Sequence, residues 1–236
     1  MIERQLTVDE ESAEFYPTPA WAVQRFLEHP AIERLRLILE SSWWFDPCVG
    51  EGAIVEAVNA NYGHGYYGAA SHGNLPTWAG CDIRETEWIR KNGGHYFAVC
   101  DYLTMPMRPV ANASILNPPF SKAAEFARTA KTHSRYVFML QRRNWLTSCI
   151  KPSAPQETKD WIKANPPTEF LLPDRPSFTG NGTDSQEYEW YAWGIGPGLY
   201  FLNETPLDVR KTHAGPRLTS AQGGLNFGAD GARGGR

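Results

Sequence analysis

Short apolar runs that each end in a polar residue constrain the fold of this chain more than any other feature. They are WWFD (43–46), WAGCD (78–82), YFAVCD (96–101) and SILN (114–117). Segments of helical periodicity separate them, and short apolar strands that alternate with helices are typical of a parallel sheet covered on both faces. The pattern therefore predicts an α/β fold with a mostly parallel, doubly wound sheet.

The later part of the chain predicts how this sheet ends. RYVFML (135–140) is predicted to be a fifth strand, and TEFLL (168–172) and EYEWYAWGI (187–195) are predicted to be further strands. A Gly-Pro-Gly turn joins the last of these to LYFLN (199–203), and strands joined by a tight turn usually pair in antiparallel fashion. We therefore expect the sheet to finish in an antiparallel hairpin.

The chain has 236 residues, which is enough for one sizeable core but not for two full domains. We expect a polar arm over residues 1–14, a folded domain over residues 15–204 and a flexible Gly-rich tail over residues 205–236. Residues 61–77 form a Gly-rich, aromatic insertion, which is predicted to be a surface loop or, alternatively, a lid over a ligand.

Composition limits the classes of partner. A net charge of −3 does not favour polyanions, so a nucleic acid would have to meet a local basic surface. The cysteines form no CxxC pair and no cluster with histidines, which predicts reduced thiols and no metal site. Because the N-terminus is polar and no apolar window approaches about 18 residues, we expect a cytoplasmic protein that does not insert into membranes.

Four polar residues at the predicted strand ends are candidates for a common site. They are Asp46, Asp82, Asp101 and Asn117. Ligands of doubly wound sheets bind beyond the carboxyl ends of the strands, where these side chains should converge. Each residue alone is explained by turn chemistry, but four in register indicate a binding site more strongly.

The stretch DPCVGEG, residues 46–52, gives this edge a glycine turn. Gly50 and Gly52 allow the backbone to approach a ligand closely, and a helix that begins near Ala53 directs its N-terminus at an anionic group. The turn lacks the GxGxxG pattern and an acidic residue about 20 positions further on. A nicotinamide-dependent dehydrogenase is therefore not predicted.

The stretch NPPF, residues 117–120, can hold a planar amino group. The amide oxygen of Asn117 accepts a hydrogen bond, and Pro118 presents a carbonyl that no helical N–H has claimed, because the prolines disfavour a helix there. Phe120 can stack on a planar ring. Two acceptors and an aromatic face thus point to chemistry on an NH2 group of a planar system.

FDPCVGEGAI (45–54) and ILNPPF (115–120) together resemble the S-adenosylmethionine-dependent N6-adenine DNA methyltransferases, in particular small enzymes of the bacteriophage type. FYPTPAW (15–21) lies ahead of the glycine turn, as the cofactor-carboxylate motif does in the subgroup that places it first. The resemblance covers about residues 15–193. It implies a Rossmann-like methyltransferase fold, S-adenosylmethionine as cofactor, and DNA as the partner, with the target base flipped out of the stack.

The resemblance also implies roles for individual residues. The catalytic residues that hold the target base would be Asn117, Pro118, Pro119 and Phe120. The cofactor-binding residues would be Tyr16, Thr18, Asp46, Pro47, Gly50, Gly52, Asp82, Asp101 and Tyr102. In this scheme Asp82 binds the ribose hydroxyls and Asp101 binds the adenine amino group. Tyr102 or Leu103 lies against the adenine ring.

No separate target-recognition domain follows the predicted sheet, so recognition of DNA sequence is expected to be short or loose. If TEFLL is parallel to the first strands, residues 173–186 lie above the site. Arg175 is then a candidate phosphate contact and Phe178 a second candidate for stacking on a base. An ordinary turn-rich loop is the alternative.

Other functions fit the same residues. The acceptor could be an RNA adenine, a cytosine N4 or a protein glutamine amide, each of which presents a similar planar NH2. The chain could also be a relative of the fold that binds a nucleotide without turnover. The sequence leaves the target sequence, the preferred strandedness and the oligomeric state open.

Overall fold

A computed structural model describes residues 17–63, 75–93, 96–178, 186–196 and 198–202. Tyr16, the polar arm and the predicted tail lie outside the described residues, as does most of the insertion at 61–77.

The chain enters the described fold through three short helices. They are α1 (Ala20–Leu27), α2 (Pro30–Glu33) and α3 (Arg36–Leu39). His29 separates the first two, because its ring nitrogen accepts a hydrogen bond from the backbone N–H of Ala31 and Pro30 begins the next helix. The helix α1 buries Phe26 between the sheet residues Phe138 and Trp190, which holds this segment against the sheet.

The strands form one sheet in the order β3-β2-β1-β4-β5-β7-β6-β8. Their bounds are β1 Trp43–Asp46, β2 Thr77–Asp82, β3 Phe97–Val99, β4 Ala111–Leu116, β5 Ser134–Arg142, β6 Thr168–Leu171, β7 Tyr188–Trp193 and β8 Leu199–Phe201. Strands β1 to β5 are mutually parallel, and β7 is antiparallel to β5 and to β6. The predicted α/β class with a mostly parallel sheet is confirmed.

The predicted hairpin of the last two strands is wrong in its pairing. Strand β6 lies between β7 and β8, and β8 pairs with β6 in parallel. Burial explains this arrangement: every residue of β7 is buried, as expected for a strand with a neighbour on each side. Strand β8 exposes Leu199 and Phe201, which suits the edge of the sheet.

Helices cover both faces of the sheet. They are α4 (Ala53–Gly63), α5 (Glu87–Asn92), α6 (Ala123–Ala130), α7 (Trp145–Ile150) and α8 (Gln156–Ala164), with a 3-10 turn at Phe120–Lys122. Successive residues of β5 alternate between the two cores: Phe138 packs on one face and Met139 on the other. No helix within the described ranges is long and apolar enough to cross a membrane.

Candidate active site

The turn after β1 depends on two glycines. Gly50 has a φ of 52° and Gly52 a φ of 75°, a region in which a side chain is strained. A Cβ on Gly52 would lie 2.2 Å from the Cε2 atom of Trp88 on α5. The turn and the start of α4 at Ala53 agree with the sequence, and both the positive φ and the packing of Trp88 require a glycine at position 52.

Asp82 meets this turn from the end of β2. Its Oδ2 accepts a hydrogen bond of 2.9 Å from the backbone N–H of Gly50. Its Oδ1 accepts from the backbone N–H of Arg84 at 2.9 Å and from the Arg84 Nε at 3.1 Å. Asp82 therefore lies at the glycine turn despite the long insertion between them, and Arg84, which the sequence analysis did not select, shares its carboxylate.

Asp46 is a fully buried carboxyl group with an open acceptor. Its Oδ1 accepts a hydrogen bond of 3.0 Å from the backbone N–H of Cys48. Its Oδ2 has no hydrogen-bond partner among the residues described. Burial raises the pKa of Asp46 to about 7, and the nearby charge of Asp82 adds to the rise. A buried carboxyl group of this kind can receive a positively charged ligand that donates hydrogen bonds.

Asn117 follows β4 at the same edge and is held by the segment before α1. Its Nδ2 donates a hydrogen bond of 3.0 Å to the Oγ1 of Thr18, which is 5% exposed. Because the nitrogen of the carboxamide is directed at Thr18, its oxygen is directed away from Thr18. The two motifs that the sequence placed 99 positions apart are thus in contact.

The carbonyl oxygen of Pro118, which the sequence predicts to be without a partner in a helix, already accepts one hydrogen bond from a side chain. It accepts a hydrogen bond of 2.8 Å from the Nε2 of Gln141, a residue of β5 that is 0% exposed. No helical N–H takes part in this bond, as predicted, but a side chain does. A carbonyl oxygen has two lone pairs, so the contact leaves capacity for one further donor.

Phe120 lies against charged and aromatic neighbours. The guanidinium carbon of Arg142 is 3.8 Å from the centroid of its ring, a cation–π contact that covers one face. The ring of Tyr188 is 5.9 Å away. Phe178 packs on Tyr188 at 4.8 Å and is 6% exposed, so the structure places this predicted stacking residue in the core.

The residues after β3 are divided between a turn and the core. Asp101 is half-buried, and its Oδ1 accepts a hydrogen bond of 3.0 Å from the backbone N–H of Leu103. Tyr102 is 1% exposed, packs on Phe45 and places its hydroxyl 2.7 Å from the Nε2 of His133. The ring of Tyr102 therefore faces the core, and Leu103 is the better placed of the two residues suggested for an adenine ring.

Arg175 lines a cavity of about 340 Å³ at the carboxyl end of β6 and the amino end of β7. Strand β6 runs parallel to β5, so this cavity opens at the same edge of the sheet, as the sequence analysis required for a role of Arg175. Arg175 and Arg143 lie 3.9 Å and 3.1 Å from the two carboxylate oxygens of Glu187. The cavity is polar and half of its charged groups are basic.

Gln141 and Arg142 were missed by the sequence analysis. Both end the apolar run of the fifth strand, so the rule that selected Asp46 and Asn117 would have selected them too. No group of residues suited to a metal ion occurs in the part of the chain that the structure describes.

Comparison with known proteins identifies the fold. No family model matches the sequence, and no curated protein matches it. A protein provisionally described as a class I S-adenosylmethionine-dependent methyltransferase from Listeria monocytogenes matches with a TM-score of 0.56 and 12% identity over 88% of this chain and 71% of its own. The chain has the fold of the S-adenosylmethionine-dependent methyltransferases.

Two further structures that match this chain carry different descriptions. One, provisionally described as an RNA methyltransferase from Pyrococcus horikoshii, has a TM-score of 0.51, 13% identity and coverage of 81% of this chain and 93% of its own. The other, the modification subunit of a provisionally assigned type I restriction enzyme from Vibrio vulnificus, has a TM-score of 0.53 and 14% identity. The match covers 83% of this chain but 48% of that subunit.

Proposed function

We propose that this protein transfers a methyl group from S-adenosylmethionine to N6 of an adenine in DNA. The observation that carries the proposal is the Asn-Pro-Pro-Phe loop, residues 117–120, which follows β4 directly and lies at the same sheet edge as the glycine turn. In that position two acceptor groups adjoin the region in which a methyltransferase fold holds its methyl donor.

The residues at the glycine turn fit the cofactor. S-Adenosylmethionine carries a positive sulfonium and an ammonium group, and when bound it supplies the methyl group. The buried Asp46 offers an open carboxylate oxygen to such a cation. Asp82 lies beside it for the ribose hydroxyls, which would have to displace or share the contact with Arg84.

The loop residues favour the amino group of a base as the acceptor. The lone pair of such a nitrogen is delocalised into the ring, so acceptors on its N–H groups favour a more tetrahedral nitrogen with its lone pair directed at the methyl carbon. Asn117 and Pro118 supply these acceptors. The new N–C bond forms as the S–C bond breaks, and the nitrogen then loses a proton to solvent.

The Asn-Pro-Pro-Phe motif supports DNA more strongly than RNA as the substrate. The structural matches do not favour one of the two. The target base would leave the stack and lie against Phe120. Arg142 would then either stay on the opposite face of the Phe120 ring or move away from it. Arg175 is proposed to contact a phosphate at the rim of the cavity. Methylation of an RNA adenine is the second candidate, because one of the matching folds is described as an RNA methyltransferase.

The test is transfer of labelled methyl groups from S-adenosylmethionine to unmethylated DNA, followed by digestion and identification of the nucleoside by mass spectrometry. RNA and a glutamine-containing peptide serve as competing acceptors. We expect labelled N6-methyldeoxyadenosine with the native protein and a loss of about 100-fold or more in kcat with Asn117→Ala, since one acceptor in the transition state is removed.

Asn112→Ala is the matched control. Asn112 lies at the opposite end of the same strand and is exposed; its Oδ1 accepts a hydrogen bond of 3.2 Å from the backbone N–H of Trp43, at the end of β1 remote from the site, so its removal should leave the transfer rate unchanged. Label in adenosine of RNA would move the assignment to the second candidate. Cofactor binding without transfer to any acceptor would contradict the proposal.

A further inference from the structure

Gln141 contacts the Pro118 carbonyl, one of the two groups that the proposed function assigns to binding the amino group of the substrate. It lies near the carboxyl end of β5, and its Nε2 donates a hydrogen bond of 2.8 Å to the carbonyl oxygen of Pro118. The side chain of Gln141 is 0% exposed and Pro118 is buried. A buried side chain therefore holds the carbonyl from behind the loop.

Packing alone does not explain a glutamine at this position. Burying an amide is unfavourable unless its polar atoms are hydrogen-bonded, and the Oε1 of Gln141 has no such partner in the described ranges. Met139, two residues earlier, is 0% exposed and lies on the same face of the strand. A methionine at 141 would fill a similar volume without a polar atom, so the single bond to Pro118 is what distinguishes the glutamine.

A second buried group lies opposite Gln141. Glu189 on β7 is its direct partner in the antiparallel ladder and is 1% exposed. Its Oε1 likewise has no hydrogen-bond partner in the residues that the structure covers. The pKa of Glu189 is raised to about 7, chiefly by burial; the charge of Glu169 on β6 also acts to raise it, whereas a hydrogen bond with Tyr191 and the charge of Arg143 act to lower it. In its protonated form Glu189 has an O–H that can donate to an amide oxygen.

We propose that Gln141 is a positioning residue that orients the Pro118 carbonyl toward the amino group of the substrate. The bond occupies one lone pair of the carbonyl and fixes the plane of the Pro118 peptide, so that the second lone pair is directed outward. This inference rests on the proposed function. Gln141 itself does not touch the reacting atoms; it acts through Pro118.

The test compares Gln141→Met with Met139→Leu, a substitution on the same face of β5 that leaves the Pro118 contact intact. We expect Gln141→Met to lower kcat for methyl transfer by about 10- to 100-fold, since small misplacements of a binding group have effects of this size. Its KM for the methyl donor and its melting temperature should stay at the native values or improve. Met139→Leu should change none of these quantities.

The outcomes separate the inference from the proposed function. An active native protein whose kcat is unaffected by Gln141→Met would overturn the inference alone. A fall in kcat that accompanies equal losses of stability and donor affinity would also overturn it, because the residue would then be structural. If Gln141→Met does not fold, Gln141→Asn, which keeps the amide but is one methylene too short, must show the same selective loss of kcat. A native protein that methylates no acceptor would overturn the proposed function and the inference with it.

Discussion

At the scale of single residues, the carboxyl group of Asp46 shows how burial sets a protonation state. Its pKa is about 7 in the folded protein, against an ordinary value of 3.8, because the charged form has lost its water. The folded state thus binds this proton more tightly than the unfolded chain does. The contribution of Asp46 to stability is therefore largest below pH 3.8 and is lost as the pH rises through about 7.

This protonation equilibrium predicts a pH dependence of cofactor binding. The ionised carboxylate attracts the cationic cofactor, so the Kd for S-adenosylmethionine should fall roughly tenfold from about pH 5.5 to about pH 7, as the ionised fraction rises. Isothermal titration calorimetry across this range measures the effect. Asp46→Asn keeps the acceptor for Cys48 but cannot ionise, so its Kd should be weaker and nearly independent of pH. A native-like slope in this variant would contradict the assignment.

At the scale of elements, the turn between β1 and α4 is joined to α5 by side-chain packing. Gly52 leaves the space that Trp88 fills, and the indole Nε1 of Trp88 donates a hydrogen bond of 3.1 Å to Glu56 on α4. The helix N-terminus at the site is therefore fixed by an element that belongs to the next βα unit. Position 52 has a positive φ and no space for a Cβ, so no residue other than glycine fits there without rearrangement.

We accordingly predict that Gly52→Ala lowers the free energy of unfolding by about 2–4 kcal/mol, from the strained φ and from the overlap with Trp88. Urea denaturation followed by circular dichroism measures this free energy. Gly196→Ala is the control, because a Cβ there would meet nothing within 4 Å. Equal stability of the two variants would show that Trp88 moves aside without cost.

At the scale of the whole molecule, a net charge of −3 gives DNA no general attraction. For the proposed DNA substrate, we expect attraction from the rim of the sheet edge, where Arg143 and Arg175 lie on either side of Glu187. All three side chains are about half-exposed, so these ion pairs are weak and can be exchanged for a phosphate. Binding should consequently be modest and sensitive to salt.

For DNA binding measured by fluorescence anisotropy over a series of salt concentrations, Arg175→Ala should reduce the slope of log K against log[salt] by about 1. The change removes the proposed phosphate contact and no proposed base contact, so sequences should be affected alike. Lys163→Ala is the control, since Lys163 is exposed in the last turn of α8, just ahead of the amino end of β6. An unchanged slope for Arg175→Ala would place the DNA elsewhere.

The sequence alone determined the features that depend on short-range patterns. Apolar runs, helical segments and turn residues indicated the strands β1 to β8, the mostly parallel sheet, and the start of α4 at Ala53. The polar residues after these runs located the edge at which Asp46, Asp82 and Asn117 lie. Such features are predictable because periodicity, turn residues and proline act over a few neighbouring positions.

Only the tertiary structure decided which groups meet. Thr18 and Asn117 are 99 positions apart, and the bond between Gln141 and Pro118 spans 23 positions. The turn before β8 does not decide its position beyond β6. That position follows because the buried strand β7 takes β5 and β6 as its two neighbours, which leaves β8 at the edge. These contacts follow from the burial of side chains across the whole sheet, whose free energy depends on partners that no local pattern specifies.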